Sequence, residues 1–544
     1  MRWFLLLSTA PAWLSSADAQ LADLAVINAR IYTSSIVQSV TTAIAIKDGR
    51  IIALGPEVKA HIGPATRQID AHGKAVIPGL IDSHVHMRAL GESLEMLDLR
   101  GLSSESQAAE KVHEAVRQHK PGEWVRGRSW DQNLWAGKQF PSAPSLNAAA
   151  PDNPVYLTRV DGHAAWVNRK ALDIADINAR TADPPGGKIL HSADGSPTGV
   201  LIDRAKTLVT AKMPPPTPAD VERMIASAAQ ECARLGITTV HDAGVDSADI
   251  AAYRSLISKH RLPVRVYAMI LGAGPLWNEL RPRGPEIGEE LTIRSIKLVA
   301  DGALGSRGAA LLQPYSDDPG NSGLLMLTED TIRKVSEQAV ASGFQVNTHA
   351  IGDRANRIVL NAYAAALAGP NDRRFRIEHA QIVAPDDFAR FQKYSVLASM
   401  QATHATSDMG WAALRLGPDR LRGAYAWQTF LKLGVRVPNG SDFPVENPNP
   451  LWGFYSAATR QDHSGNPPGG WFPDQRMTRQ EALRSWTLDG AFAAFEEKQK
   501  GSLEVGKMAD FLLLSADIMQ IPPAEILKTQ VLITVRGGEI VFRQ

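Results

Sequence analysis

The chain has 544 residues with a single cysteine, and 58 Lys and Arg against 57 Asp and Glu leave a net charge of +1. The single cysteine excludes an intramolecular disulfide framework, and the charge balance carries no electrostatic footprint for nucleic acid or an anionic membrane. With 44% hydrophobic and 21% charged residues the composition is that of a folded globular protein, so the expected partner is a small molecule.

In chain order, Arg2 and the apolar run Trp3 to Leu7 lead to Ala17-Asp18-Ala19, an A-x-A pattern before Gln20. Residues 1–19 therefore read as a signal peptide. The expectation is a secreted or periplasmic protein with no membrane association after cleavage, because no other stretch approaches the roughly 20 apolar residues of a membrane span. Residues 20–75 hold short β-prone runs at Leu24 to Tyr32, Thr42 to Lys47 and Arg50 to Leu54, the last two hinged at Asp48-Gly49, a hairpin signal. Residues 501–544 hold further β-like runs, Asp510 to Leu514, Val531 to Val535 and Glu539 to Phe542. The two ends are expected to form one composite β-sandwich domain.

Residues 76–500 alternate β-like runs with helical patterns. The runs are Val76 to Ile81, Ile237 to Val240, Val264 to Leu271, Ser295 to Ala300, Phe344 to Thr348, Phe375 to Ile377, Val396 to Met400 and Val435 to Pro438. Helices are expected over Pro218 to Leu235, capped by Thr217, and over Glu329 to Ser342, Asp353 to Ala368 and Asp386 to Lys393. Eight strands alternating with helices imply an α/β fold, a (β/α)8 TIM barrel, with its active site at the C-terminal ends of the strands. Residues from about 88 to 216 are far too long for a βα connection and read as a large insertion after barrel strand one.

Polar residues fall where barrel chemistry falls. His84 and His86 follow the first apolar run, and at i and i+2 of an extended strand both imidazoles project from one face. Lys297 is embedded in Ile296-Lys297-Leu298-Val299, where an unpaired ammonium is costly. His349, His379 and Asp442 follow later strands. Singly, each has a structural alternative: a satisfied core histidine, a turn cap, a snorkelling lysine.

The motifs Pro78-Gly79-Leu80-Ile81-Asp82-Ser83-His84-Val85-His86, Lys297 with Asp301 to Arg307, Asn347 to Asp353, Arg376-Ile377-Glu378-His379-Ala380-Gln381, and Gly440-Ser441-Asp442-Phe443-Pro444 together resemble the amidohydrolase superfamily. Within it the chain is similar to the YtcJ-like enzymes, amidohydrolase family 3. Gly501 to Asp510 resembles that family's return into its β module. The resemblance implies two divalent metal ions, with zinc the first choice, held by His84, His86, His349, His379 and Asp442 and bridged by Lys297 after carboxylation by CO2. It also implies attack by a metal-bridging hydroxide on an amide, N-acyl or cyclic amide C–N bond, with Asp442 as the catalytic base and acid.

Substrate contacts are expected from loops. Trp130 lies in Gly127 to Trp135, and Asp161-Gly162-His163 resembles a family motif, so Trp130, Asp161 and His163 are pocket candidates, although the insertion's tryptophans suit a core equally well. Arg307 could hold a substrate carboxylate, and His241 ends strand two as a contact or a turn. The Gly- and Pro-rich stretch His463 to Trp471 suits a flap over the barrel mouth or a plain linker. A mononuclear deaminase, an esterase or lactonase on the same barrel, and a non-catalytic small-molecule binding protein remain alternatives, and a homodimer is left open.

Overall fold

The structure, a computed structural model, describes residues 20–35, 39–159, 162 and 164–544. The expected signal segment and the pocket candidates Asp161 and His163 lie outside the described residues. The chain divides into two compact units, Met1–Val85, Cys232–Gly244 and Pro263–Gln544 in one, His86–Glu231 and Val245–Leu262 in the other.

The first unit contains a β module and a barrel. One sheet of the module has the order Arg50–Leu54, Ile44–Lys47, Leu24–Ile27, Arg67–Asp70. The other joins the two chain ends, in the order Glu539–Arg543, Val531–Arg536, Phe511–Leu514, Ala75–Pro78, Arg30–Tyr32, Val40–Thr41. Leu24, Val26, Ile44 and Ile46 share one buried cluster with Val76, Phe511, Leu513 and Val535. The run Leu24 to Tyr32 is split between the sheets because Asn28 takes a left-handed φ of 52°, which breaks the strand. At the hairpin, Asp48 and Gly49 have φ of 49° and 74°, the pair of positive values that a type I′ turn requires.

The barrel strands are β1 (Leu80–Val85), β2 (Ile237–Val245), β3 (Arg265–Leu271), β4 (Leu291–Val299), β5 (Gln345–Ala350), β6 (Arg376–His379) and β7 (Leu397–Ser399), all neighbours in one parallel sheet. Helices Glu329–Ser342, Asp353–Leu367 and Phe388–Lys393 connect β4 through β7.

Two expectations about the strands change. The run Val76 to Ile81 is not one barrel strand: Ala75–Pro78 pairs with Phe511–Leu514 in the module and β1 starts at Leu80. Gly79 is the joint between them, donating its N–H to the Asp510 carbonyl at 2.9 Å. A Cβ there would come within 2.4 Å of the Thr238 side chain.

The eighth run, Val435 to Pro438, is not a regular strand. Its stretch nevertheless closes the ring, because Met400 N–H donates to the Pro438 carbonyl (3.1 Å) and Ser83 N–H to the Asn439 carbonyl (3.0 Å). Asp442 N–H reaches the His84 carbonyl at 2.8 Å. Gly440 is needed at this seam, since a Cβ would lie 2.7 Å from the His84 nitrogen.

The second unit is built on a six-stranded sheet, Gly187–His191, Pro197–Asp203, Ala164–Val167, Val155–Arg159, Val125–Trp130, Leu97–Asp98. Alternation along its strands sorts residues to two faces. Trp166 and Val200 join one buried cluster with Trp130 and Leu157, while Val167 and Leu201 join another. Helix Pro218–Arg234 begins as its sequence predicts: Thr217 Oγ1 accepts the Asp220 N–H, and the Asp220 carboxylate accepts the Thr217 N–H at 2.9 Å, a reciprocal cap. Among the described residues no helix is long and apolar enough to cross a membrane.

Candidate metal centre

At the C-terminal end of the barrel the sequence delivers one side chain after another to the same rim. His84 is the fifth residue of β1, and His86 is the first residue past the strand. Together with Asp442 these histidines offer ligand atoms that all lie within 4.8 Å of one another. Lys297, two residues before the end of β4, points inward with its Nζ 3.0 Å from His84 Nε2. His349 and His379 come from the ends of β5 and β6, with ring centroids 4.6 Å apart and His379 4.8 Å from His84.

A buried carboxylate sets the chemistry of His84. Glu378 Oε2 is 2.5 Å from His84 Nδ1, and both side chains are wholly buried. The imidazole donates its Nδ1–H there, which leaves the Nε2 lone pair facing Lys297 and the Asp442 Oδ1, 3.7 Å away. Carboxylate support of this kind fixes the tautomer of a metal-ligating histidine.

Glu378 is in turn neutralised by Arg376, two residues earlier and on the same face of β6. Arg376 donates to Glu378 Oε2 (3.1 Å), Ser399 Oγ (3.0 Å), the Ser83 carbonyl (2.5 Å) and His241 Nδ1 (3.0 Å). One guanidinium thus ties β1, β2, β6 and β7 through the barrel interior. Burial pushes the Glu378 carboxyl up, but Arg376 and His84 outweigh it and the net shift is well downward.

The same burial keeps the imidazoles neutral. His84 falls to about 4 and His349 to about 3, each through desolvation first and the charge of Lys297 second. His379 and His241 are also held well below the usual histidine range by burial. Lys297 is 4% exposed and shifted downward, mainly by desolvation.

Asp82, which shares a strand face with His84, accepts the Ser441 N–H at 2.9 Å and the Ser441 hydroxyl at 2.7 Å. It pins the seam on which Asp442 stands. Burial raises its carboxyl to about 7 against the pull of those bonds. Asp442 itself has a left-handed φ of 58°, as has His379 at 71°. Backbone held in that region by its surroundings is common at functional sites.

The substrate candidates fare differently. Trp130 is wholly buried, its Nε1–H donated to the Leu157 carbonyl at 2.8 Å, and it packs with Trp135 and Trp166 in the core of the insertion. Its pocket-wall reading gives way to a packing role, because the bulkiest apolar rings of that unit fill its interior. Arg307 is committed to Asp317 through two contacts of 3.2 and 3.0 Å, and Arg415 pairs with the same carboxylate. The guanidinium expected to meet a substrate carboxylate is instead paired with Asp317 at a partly exposed position. His241 lies within the barrel interior against Tyr267 and accepts from Arg376, which makes it a support for that guanidinium. The stretch His463 to Trp471 is bonded to itself and to its base: Asp462 N–H donates to the Asn466 carbonyl at 2.7 Å, and Arg460 Nε to the Trp471 carbonyl at 2.5 Å.

One residue absent from the sequence-based set stands in the cluster. His404, on the helix Ala402–Asp408 that follows β7, places Nε2 3.6 Å from Asp442 Oδ2. With His379 and Asp442 it makes a second group of ligand atoms within 4.8 Å of one another. The signal in the sequence was its position, just past a β-like run at the strand end where the other histidines lie.

The donor set suits a divalent cation. It offers neutral imidazoles, a carboxylate, and two buried nitrogens, His349 Nε2 and His404 Nε2, that have no hydrogen-bond partner among the described residues. Such a cluster at the C-terminal rim of a parallel barrel defines a metal-dependent hydrolase fold. The chain belongs to the Amidohydrolase family, whose Amidohydro_3 model matches residues 67–542, and it is a hydrolase.

It is 32% identical over 514 residues to the putative amidohydrolase YtcJ of Bacillus subtilis, covering 93% of this chain and 96% of that one. Identity to the N-substituted formamide deformylase of Arthrobacter pascens is 27% over 545 residues, covering 96% and 99%. A crystal structure of an uncharacterized metal-dependent hydrolase from Pyrococcus furiosus superposes with a TM-score of 0.77 at 30% identity, covering 91% of this chain and all of the other.

Proposed function

We propose that this amidohydrolase cleaves the C–N bond of a small amide, N-acyl or cyclic amide compound, using divalent cations held at the barrel rim. The observation that carries the reading is the 2.5 Å contact of Glu378 with His84 Nδ1, which orients a neutral ligand nitrogen toward Asp442 and Lys297. His84, His86 and Asp442 would hold one cation, and His349 and His379 a second. Zinc suits this mixed nitrogen and oxygen set. When bound, the cations supply acidification of a water and polarisation of the scissile carbonyl.

The protein's own groups supply the rest. Lys297, kept toward its neutral form by burial, is nucleophilic at Nζ. Attack of the neutral amine on CO2 forms an N–C bond and releases one proton to solvent, leaving an anionic carbamate that would help hold the cations. Asp442 accepts the proton of the attacking water and returns it to the leaving nitrogen. The family relation to an N-substituted formamide deformylase supports small N-acyl substrates, and the A-x-A pattern at Ala17 to Ala19 supports export.

Asp442→Asn tests the mechanism. It should keep the fold and most bound metal, while hydrolysis across a panel of N-formyl, N-acyl and cyclic amides falls by roughly 10²–10⁴-fold, the range for a general base. Turnover close to wild type would rule the mechanism out. For export, N-terminal sequencing of the purified protein should begin at Gln20; a chain beginning at Met1 would contradict it.

A further inference from the structure

The helix that follows β7 carries two ionisable residues on one face. His404 and Asp408 stand four residues apart on Ala402–Asp408, the spacing that stacks side chains on one side of a helix. His404 Nε2 lies 3.6 Å from Asp442 Oδ2, so Asp408 stands one helical turn beyond a side chain that reaches the metal centre. Its position is costly. It is the last residue of the helix, where a negative charge opposes the macrodipole, and burial raises its carboxyl above the usual value.

Two neutral donors meet this carboxylate, and both reach the same oxygen. The Tyr425 hydroxyl donates to Oδ2 at 2.6 Å, and Gln381 Nε2, two residues past His379, donates to it at 3.3 Å. Gln381 Nε2 also donates to the Tyr425 hydroxyl at 2.8 Å. The other oxygen, Oδ1, accepts no hydrogen bond among the described residues. A second acid adds to the negative charge here, since Glu446 acts on Asp408 as a like charge and accepts the Ser407 hydroxyl at 2.5 Å.

Tyr425 is itself locked from behind. Its N–H donates to the Gln381 carbonyl at 2.8 Å, its carbonyl accepts from Arg460 Nη1 at 2.9 Å, and its ring packs against Trp471 with centroids 5.5 Å apart. Arg460 is wholly buried, 4.4 Å from the Trp427 centroid and 5.2 Å from that of Trp471. A buried guanidinium that meets carbonyls and rings instead of a carboxylate is expensive. What it secures is the place of Tyr425 and, through the hydroxyl, the orientation of Asp408.

We propose that Asp408 anchors the substrate, with Oδ1 accepting an N–H of a protonated amine, so that the preferred substrates are small amides carrying an ammonium group away from the scissile bond. The inference rests on the hydrolase reading and deepens it by naming the substrate class. A carboxylate in the same place would meet two acids and be rejected.

The test compares wild type with Asp408→Asn, both full-length and zinc-loaded, on mono-N-formylated diaminoalkanes with chains of two to five carbons. Matched compounds replace the terminal amine by a methyl group or a carboxylate. Wild type should favour the amine-terminated series in kcat/KM. Asp408→Asn, with a native circular dichroism spectrum, should raise KM for that series roughly 10–100-fold, the weight of a hydrogen bond to a charged group, with little change in kcat. The methyl-terminated series should be unaffected. A wild type that favours the carboxylate series or shows no preference overturns the proposal, as does an Asp408→Asn variant that keeps the wild-type preference.

Calorimetric titration with the free diaminoalkanes reads the anchor without turnover. Wild type should bind at least one of them, and Asp408→Asn should bind it roughly 10–100-fold more weakly. Equal binding by the two proteins, or none by wild type, overturns the proposal. Amine binding that depends on Asp408 without hydrolysis of any formamide supports the anchor and counts against the hydrolytic reading instead.

Discussion

The barrel interior and the insertion bury their side chains equally well and with opposite chemistry. Inside the barrel, Arg376, Glu378, His84 and His241 are all wholly buried, and each is ionisable. In the insertion the wholly buried residues include Trp130, Trp166, Leu146, Leu157 and Val200. The second arrangement gains from removing apolar area from water. The first gains little net stability, because desolvating a charge offsets most of its attraction to a partner. What the barrel obtains is a fixed direction for one nitrogen, His84 Nε2, and a charge placed to hold it there.

The comparison can be broken most severely at Arg376. Arg376→Met leaves Glu378 buried without its counter-charge and should cost about 3–5 kcal/mol in denaturant unfolding. The double variant Arg376→Met with Glu378→Leu turns that layer into the insertion's kind of core and should recover most of the loss, while zinc affinity stays low. If the double variant is no more stable than the single one, the ion pair is not where the cost lies.

Trp130→Ala attacks the other region and should cost about 3–5 kcal/mol, seen as a lower unfolding midpoint. The zinc content of folded molecules serves as the control and should match wild type. Glu378→Gln separates charge from shape at the metal centre. It should lower zinc affinity roughly 10–100-fold with a near-native circular dichroism spectrum, and an unchanged affinity would remove Glu378 from its assigned role.

The smallest effect concerns the helix cap of Asp220. Bonds from Thr217 first and then Arg223 lower its carboxyl from 3.8 to about 2. A depressed acid stabilises the fold above its unfolded pKa, and the contribution disappears as pH falls from about 4 to 2. Asp220→Asn should therefore cost roughly 1 kcal/mol near neutrality and flatten the acid limb of stability in that window.

Much of this centre could be located from residues alone. His84 and His86 follow an apolar run, Lys297 interrupts one, and His379 and Asp442 stand near strand ends, so barrel topology places them at one rim, while their role as ligands was implied by the family resemblance. Arg376 and Glu378 were also accessible in principle, since they share a strand face two residues apart. Which histidine Glu378 would support was not, because its partner lies 294 residues away.

Other differences have the same origin. Arg307 looked like a free guanidinium in a loop, and only the fold brought Asp317 and Arg415 against it. Trp130 could wall a pocket or fill a core, and the sheet of the insertion turned it inward.

The sequence by itself pointed to the barrel and the two-ended β module through periodicity and turn chemistry that act within a few residues, while the ligand set at the rim was implied only by the resemblance of its motifs to a family. Only the tertiary structure decided that residues 436–442 close the ring without forming a regular strand, that Asp82 pins the Asp442 seam, and that His404 joins the cluster. Those outcomes depend on which strands become neighbours, and neighbourhood across the ring is set by packing of the whole barrel.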